Sequence, residues 1–207
     1  WAQRLAQMNE IGKKIHLDLY DLVKTNYPDK FFDRILCVSV IEHIPPEKIN
    51  PALKELNRIL KDEGIIVVTF DYYKEFIPYG VGNFHGAQYC QFFTFEKIKE
   101  ALTDNTGFEL LEQGFLDDTN WNDPPLFSQY NFARVVLKKV HDVENQVSRT
   151  SKPLRVAHIS YDFYYGGIQE QVQILAEHSQ NPYIEHFIVA CGGGPLLEWT
   201  KQHNIPH

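Results

Sequence analysis

Polar side chains that could do chemistry follow the two most apolar stretches of the chain. Glu42 and His43 come directly after one of these stretches, and Asp71 and Tyr72 end the other. Both stretches are rich in β-branched residues, which predicts strands buried on both faces. In an open parallel sheet, ligands bind beyond the carboxyl ends of the strands. We therefore expect these four side chains at a ligand-binding edge, where carboxyl, imidazole and phenol groups could contact a substrate.

The elements that would position these side chains alternate between strand and helix. Residues 31–41 and 64–73 have strand patterns, and residues 46–61 have apolar residues three to four apart, which is typical of an amphipathic helix. Short connections join the three segments, so they predict a right-handed crossover in a parallel sheet. A helix capped by Thr94 and two further strands follow before residue 140. The first part of the chain is therefore predicted to be an α/β domain.

Composition and charge exclude several classes of protein. With 43% hydrophobic and 23% charged residues, the chain has the composition of a soluble globular protein. Its formal charge of -7 leaves no broad basic surface for a nucleic acid. No apolar run approaches the ~20 residues of a membrane-spanning helix. The three cysteines have no CxxC spacing, which indicates neither a disulfide framework nor a metal site and favours the cytoplasm.

Two motifs in this first part resemble those of class I S-adenosylmethionine-dependent methyltransferases. The family pattern FDxIxxxxVIEHI fits residues 32–44, and the pattern RxLKxGG fits residues 58–64, with Glu63 in place of the first glycine. The resemblance covers residues 1–140 and implies an incomplete, doubly wound Rossmann-like sheet. It also implies methyl transfer from S-adenosylmethionine to a small-molecule or glycan acceptor.

The resemblance further implies a role for individual residues. Those implied to contact the cofactor are Asp18, Leu19, Ser39 and Val40; those implied to be catalytic are His43 and Glu42; those implied to contact the acceptor are Asp71, Tyr72, His85 and Tyr89. Other interpretations of the same residues stay open. Glu42 and His43 could cap the turn at Pro45, Asp18 could be a solvated turn carboxylate, and Tyr72 could belong to a packed aromatic cluster.

The pattern of strand and helix starts again after a polar segment, residues 141–153, which has the composition of a linker. Residues 154–207 resemble the N-terminal edge of a family 4 glycosyltransferase of the two-lobed GT-B architecture. The resemblance implies a short βαβα piece of a second Rossmann-like domain. Gly166 and Gly167 lead its first helix and would bind the donor phosphate of a nucleotide sugar, or an acceptor. A simple tight turn is the alternative for this glycine pair.

Together these resemblances predict an interior fragment of a longer bifunctional methyltransferase and glycosyltransferase that acts on glycans. The glycine-rich turn of the methyltransferase family is expected upstream of residue 1, and no GxGxG occurs before Asp18, so we expect this polypeptide alone to bind S-adenosylmethionine weakly and to be inactive. Two other functions stay open. The chain could transfer a sugar from a nucleotide donor, or it could be a non-catalytic, methyltransferase-like binding module.

Overall fold

The structure is a computed structural model that describes residues 15–73, 75–76, 78–79, 90–115, 131–140, 153–160 and 183–190. The strands are β1 (Ile15–Leu19), β2 (Phe32–Val38), β3 (Leu60–Tyr72), β4 (Phe108–Phe115), β5 (Asn131–Lys139), β6 (Leu154–Ser160) and β7 (Ile184–Ala190). The helices are a 3-10 helix (Ile41–His43), α1 (Pro46–Ile59) and α2 (Phe95–Thr103).

All the described strands belong to one mixed sheet, in the order β1-β7-β6-β2-β3-β5-β4. The first five strands in this order are parallel, and β5 is antiparallel to both β3 and β4. The predicted α/β class and the predicted parallel crossover from β2 to β3 are thus both confirmed. The carboxyl ends of the parallel strands lie at the same end of the sheet. The polar residues after β2 lie at this end.

Helix α1 joins β2 to β3 and covers one face of the sheet. Pro46 occupies its first turn, where the missing N–H of proline costs no hydrogen bond. The apolar residues of α1 are buried in the same core as alternate residues of the strands. These core residues are Ile49, Leu53, Leu56 and Ile59 from α1, and Ile35, Cys37, Ile66, Val68 and Phe70 from the strands. The opposite side of β2 is half-buried, whereas the sequence predicts burial on both faces.

The first glycine of the RxLKxGG pattern marks a turn that requires an unusual backbone. Glu63, which stands at this position, has a φ of 59°, in the left-handed region that favours glycine. Its carboxylate forms an ion pair with Lys138 of β5. The next residue, Gly64, is closely packed, because a Cβ there would lie 2.5 Å from the side chain of Leu60. The motif is therefore explained by backbone geometry, and the departure at Glu63 is tolerated at its surface position.

The arginine of the same pattern also has a structural role. Arg58 donates hydrogen bonds from Nε to Glu55 Oε2 at 2.8 Å and from Nη2 to the carbonyl of Tyr27 at 2.8 Å. Glu55 in turn accepts from the Thr25 hydroxyl at 2.6 Å and from the Thr25 N–H at 2.7 Å. These bonds lower the pKa of Glu55 against the opposing effect of its burial. The network fastens the loop before β2 to helix α1.

Strands β6 and β7 differ from the expectation for residues 154–207. The sequence predicts that they begin a second Rossmann-like sheet, but β6 pairs with β2, and β7 pairs with β1. A parallel strand pair has two open edges, and insertion between β1 and β2 covers both of them. A second sheet is thus not seen among the described residues. The division into residues 1–140, a linker and residues 154–207 stays a prediction, since residues 141–152 lie outside the described ranges.

Candidate functional site

A tight turn at the carboxyl end of β2 begins the candidate site. Ser39 has a φ of 49°, and its N–H lies 3.2 Å from the Thr69 carbonyl and 3.0 Å from Thr69 Oγ1. This turn directs the chain away from the sheet and into the 3-10 helix. Val40, which precedes that helix, is fully buried. The turn thus fixes the position of Glu42 and His43 relative to β3.

Glu42 is a fully buried carboxyl group with an exposure of 0%. No donor among the described residues is in hydrogen-bonding geometry with either of its carboxyl oxygens. Burial raises the pKa of Glu42 well above its usual range, and the charge of Asp71 raises it further, while Ser39 and nearby peptide groups partly oppose the shift. The protonated form of Glu42 is therefore favoured relative to that of a solvated glutamate.

Asp71 supplies a second carboxyl group at the end of the neighbouring strand β3. Burial raises its pKa to about 6, and a weak hydrogen bond from Cys90 opposes the shift. Cys90 Sγ lies 3.9 Å from Asp71 Oδ2. Burial, followed by the charges of Asp71 and Glu42, raises the pKa of the Cys90 thiol to about 12. At neutral pH Asp71 is thus mostly ionised, whereas the Cys90 thiol is un-ionised.

Gln91 holds the 3-10 helix in place and was missed by the sequence analysis. Its backbone N–H donates to the Glu42 carbonyl at 2.9 Å, and its side-chain Nε2 donates to the carbonyls of Ile44 at 2.8 Å and Ile41 at 3.4 Å. Its exposure is 1%. Two residues later, the N–H of Phe93 donates to the Asp71 carbonyl at 3.1 Å. The segment from Cys90 to Phe93 therefore connects the ends of β2 and β3, a contact that no local sequence pattern indicates.

The alternative in which Glu42 and His43 cap the next helix is wrong. Pro45 is the N-cap residue of α1, and no side chain makes a capping hydrogen bond there. His43 is half-buried, and its backbone N–H donates to the Val40 carbonyl at 3.0 Å. Tyr72 lies with its ring 4.9 Å from that of Phe95, which supports the aromatic packing considered for it.

The predicted cofactor contacts on β1 lie at some distance from this turn. Two strands separate β1 from β2, which places Asp18 about 14 Å from Ser39 at the usual strand spacing. Asp18 Oδ2 accepts a hydrogen bond from the Tyr27 hydroxyl. The backbone of Leu19 pairs with Ala190 of β7. Asp18 is thus a fixed, half-buried carboxylate, in contrast to the solvated alternative. The remaining predicted residues, His85, Tyr89, Gly166 and Gly167, lie outside the described ranges.

A cleft of about 330 Å³ opens between helices α1 and α2. Its lining residues include Pro46, Ile49, Phe76, Gln91, Phe93 and Lys97. Gln91 borders both this cleft and the turn that carries Glu42, so the cleft adjoins the candidate site.

No helix of the described part has the length and apolar character that a membrane crossing requires.

Comparison with protein families gives one match. A family model described as a methyltransferase domain matches residues 1–68 of the 207. This range includes Asp18, Ser39 and Glu42, and it supports the resemblance of the first part of the chain to methyltransferases. No curated protein sequence matches the chain.

Several solved structures are similar to part of the chain. SpnF, a 4+2 cyclase, is 17% identical with a TM-score of 0.46 over 58% of this chain and 55% of its own. An S-adenosylmethionine-dependent methyltransferase from Methanosarcina mazei is 14% identical with a TM-score of 0.44 over 58% and 65%. The Burkholderia thailandensis 1,6-didemethyltoxoflavin-N1-methyltransferase, solved with S-adenosylhomocysteine, is 13% identical with a TM-score of 0.45 over 58% and 48%. The chain thus spans between 48% and 65% of these three proteins.

Proposed function

We propose that the edge of the sheet around Ser39, Glu42 and Asp71 serves methyl transfer from S-adenosylmethionine. The observation that carries the proposal is the pair of carboxyl groups of Glu42, just after β2, and Asp71, at the end of the adjacent strand β3, whose pKa values are both raised by burial. Perturbed pKa values at the carboxyl edge of a parallel sheet are typical of functional sites. The methyltransferase match to residues 1–68 supports the proposal independently of this geometry.

The charges of the site fit the proposed cofactor. When bound, S-adenosylmethionine supplies an activated methyl group on a sulfonium cation. Asp71 is ionised above its pKa of about 6 and would attract a cation. Ser39 and Val40 would contact the cofactor at the end of β2, and Asp18 and Leu19 would contact its adenine at the end of β1.

The same groups would act on the acceptor. Asp71 can accept a proton from a hydroxyl or amine because its pKa lies close to neutral pH. Glu42, whose pKa is raised well above its usual range by burial, remains with His43 the proposed catalytic pair. Tyr72, His85 and Tyr89 are the proposed acceptor contacts.

A comparison of two ligands that differ in charge tests this function. Calorimetry on the full chain, above the Asp71 pKa, compares the cation S-adenosylmethionine with the neutral thioether S-adenosylhomocysteine. Asp71→Asn is expected to weaken binding of the cation about tenfold, which is ~1.4 kcal/mol, the energy of a charge pair roughly 12 Å apart at an effective dielectric constant of about 20. Binding of the thioether should stay the same.

The matched control is Glu109→Gln, which neutralises an exposed carboxylate near the opposite end of the sheet. It should change neither affinity. Since weak binding is expected of this chain, the titration continues to millimolar ligand, and if neither ligand shows saturable binding even there, the proposed function is wrong.

Other parts of the proposal rest on sequence alone. The similarity of residues 154–207 to a glycosyltransferase supports a bifunctional cytoplasmic protein in which Gly166 and Gly167 bind a nucleotide sugar and the acceptor is a glycan. A non-catalytic binding module is the remaining alternative. Binding of S-adenosylhomocysteine without methyl transfer by the longer protein to any acceptor would favour that module.

A further inference from the structure

Tyr27, in the segment between β1 and β2, contacts one of the proposed cofactor residues. Its hydroxyl donates a hydrogen bond to Asp18 Oδ2, near the carboxyl end of β1. Burial, followed by this hydrogen bond, raises the pKa of Tyr27 above its usual range, so the hydroxyl keeps the proton that it donates. A hydrogen bond from a hydroxyl to a carboxylate is stronger than one between neutral groups. It therefore fixes the direction of the Asp18 carboxyl group.

The ring of Tyr27 is itself fixed by a cluster of aromatic side chains. Its exposure is 9%. The ring lies edge-to-face with Phe32 of β2 at 4.7 Å and with Phe187 of β7 at 6.1 Å. It also stacks on Phe31 at 5.4 Å. Such aromatic pairs stabilise a buried ring beyond the effect of its burial alone. The hydroxyl of Tyr27 is thus held in one place relative to Asp18.

Helix α1 holds the backbone of the same residue. Arg58 Nη2 donates to the Tyr27 carbonyl at 2.8 Å, and Nη1 of the same guanidinium donates to Asp29 Oδ1 at 2.6 Å. Arg58 is the arginine of the RxLKxGG pattern. Because the carbonyl and the hydroxyl of Tyr27 are both hydrogen-bonded, this residue links helix α1 to the end of β1.

Asp18 has capacity to accept a further hydrogen bond. A carboxylate has about four acceptor sites, and the bond from Tyr27 occupies one of them. Among the described residues, no donor other than Tyr27 is hydrogen-bonded to Asp18, which is half-buried. The amino group of adenine donates hydrogen bonds, whereas the oxo group of hypoxanthine or guanine accepts them. A carboxylate in a fixed direction therefore favours an amino purine over an oxo purine.

We infer that Tyr27 is a positioning residue for adenine recognition, because its hydroxyl orients the Asp18 carboxylate to accept the amino group of the base. Tyr27 acts through Asp18, since its own ring is buried in the aromatic cluster. The inference rests on the proposed function, in which Asp18 contacts the adenine of the cofactor. It adds a residue that determines the choice of base and has no part in the transfer of the methyl group.

Calorimetry on the full chain with two thioethers that differ only in the base tests the inference. S-adenosylhomocysteine contains an amino purine, and S-inosylhomocysteine contains an oxo purine. The unaltered chain should bind the adenosyl thioether at least tenfold more tightly, since an oxo group would face the carboxylate without a proton between them. Tyr27→Phe keeps the ring and removes the hydroxyl. It should weaken binding of the adenosyl thioether about fivefold and leave binding of the inosyl thioether within about twofold.

Two further variants serve as controls. Tyr183→Phe removes the same group from a side chain with an exposure of 72%, just before β7, and should change neither affinity. Asp18→Asn removes the carboxylate that the hydroxyl orients, so adding Tyr27→Phe to it should leave the ratio of the two affinities unchanged. Thermal unfolding gives the folded fraction of each variant. A loss of folded protein lowers both affinities equally and leaves their ratio unchanged.

The outcomes separate this inference from the proposed function. If Tyr27→Phe lowers both affinities equally, or lowers neither, the inference is overturned while the proposed function stands. The same holds if the unaltered chain binds the two thioethers equally, or if Tyr27→Phe still changes the ratio in the Asp18→Asn variant. If neither thioether shows saturable binding up to millimolar concentration, the inference and the proposed function are both wrong.

Discussion

Replacement of Phe187 by alanine tests whether the two parts of the chain share one core. Phe187 has an exposure of 5% and lies among aromatic residues from β1 and from the segment before β2. A buried phenylalanine removes roughly 150–200 Å² from water, which at about 25 cal/mol/Å² stabilises the fold by about 4–5 kcal/mol. Substitutions of this kind cost about 3–5 kcal/mol in proteins. We expect Phe187→Ala to destabilise the whole sheet by about 4 kcal/mol.

Two measurements are made. Urea unfolding gives the global stability, and hydrogen exchange of peptides gives the protection of individual strands. In the shared core, peptides from β2 and β3 lose protection together with those from β7 when Phe187 is replaced. The control Tyr183→Ala changes a side chain with an exposure of 72% and should alter stability by less than about 0.5 kcal/mol. If β7 alone loses protection while β2 and β3 are unaffected, the reasoning is refuted, since two independent domains would behave in that way.

Three further predictions concern buried polar groups. Burial and the nearby His186 ring, 3.0 Å away, lower the pKa of His158 to about 4, so its contribution to stability is present above about pH 6.5 and is lost as the pH falls towards 4. His158→Phe should therefore make the melting temperature depend less on pH between these values. A melting temperature that varies with pH as strongly as in the unaltered chain would contradict the assignment. The pKa of Asp71 is raised to about 6, so its contribution to stability has the opposite pH dependence. This contribution is present below about pH 4 and is lost as the pH rises to 6. As the pH rises from 4 to 6, the melting temperature of Asp71→Asn should increase relative to that of the unaltered chain. A difference in melting temperature that does not change with pH would contradict this prediction. Gln91→Leu removes the side-chain donor of the Ile44 carbonyl and should cost about 1–3 kcal/mol in urea unfolding, whereas a cost near zero would show that the side chain does not hold the turn.

Much of the first part of the chain was predictable from local patterns. The apolar run before Glu42 predicts β2, the spacing of apolar residues after Pro46 predicts α1, and Thr94 caps α2 by accepting a hydrogen bond from the Lys97 N–H at 3.2 Å. These features depend on residues close together in sequence. The carboxyl edge followed from them, because consecutive parallel strands place their ends on the same side.

Other features depend on contacts between distant residues. The pairing of β6 with β2 joins residues more than a hundred positions apart, and an open strand edge can accept any strand of suitable register. Gln91 lies 47 positions along the chain from its carbonyl partner Ile44, in a segment that has no periodic pattern of its own. The burial of Glu42 was likewise hidden, because a glutamate after a strand is usually solvated.

The central claim is that the end of the sheet around Ser39, Glu42 and Asp71 binds S-adenosylmethionine, and one NMR titration tests it most directly. Amide signals of the uniformly ¹⁵N-labelled full chain are followed as S-adenosylhomocysteine is added. The account predicts that the signals of Ser39, Val40 and Asp71 shift together along a single saturation curve. The absence of any saturable shift at these residues would contradict it.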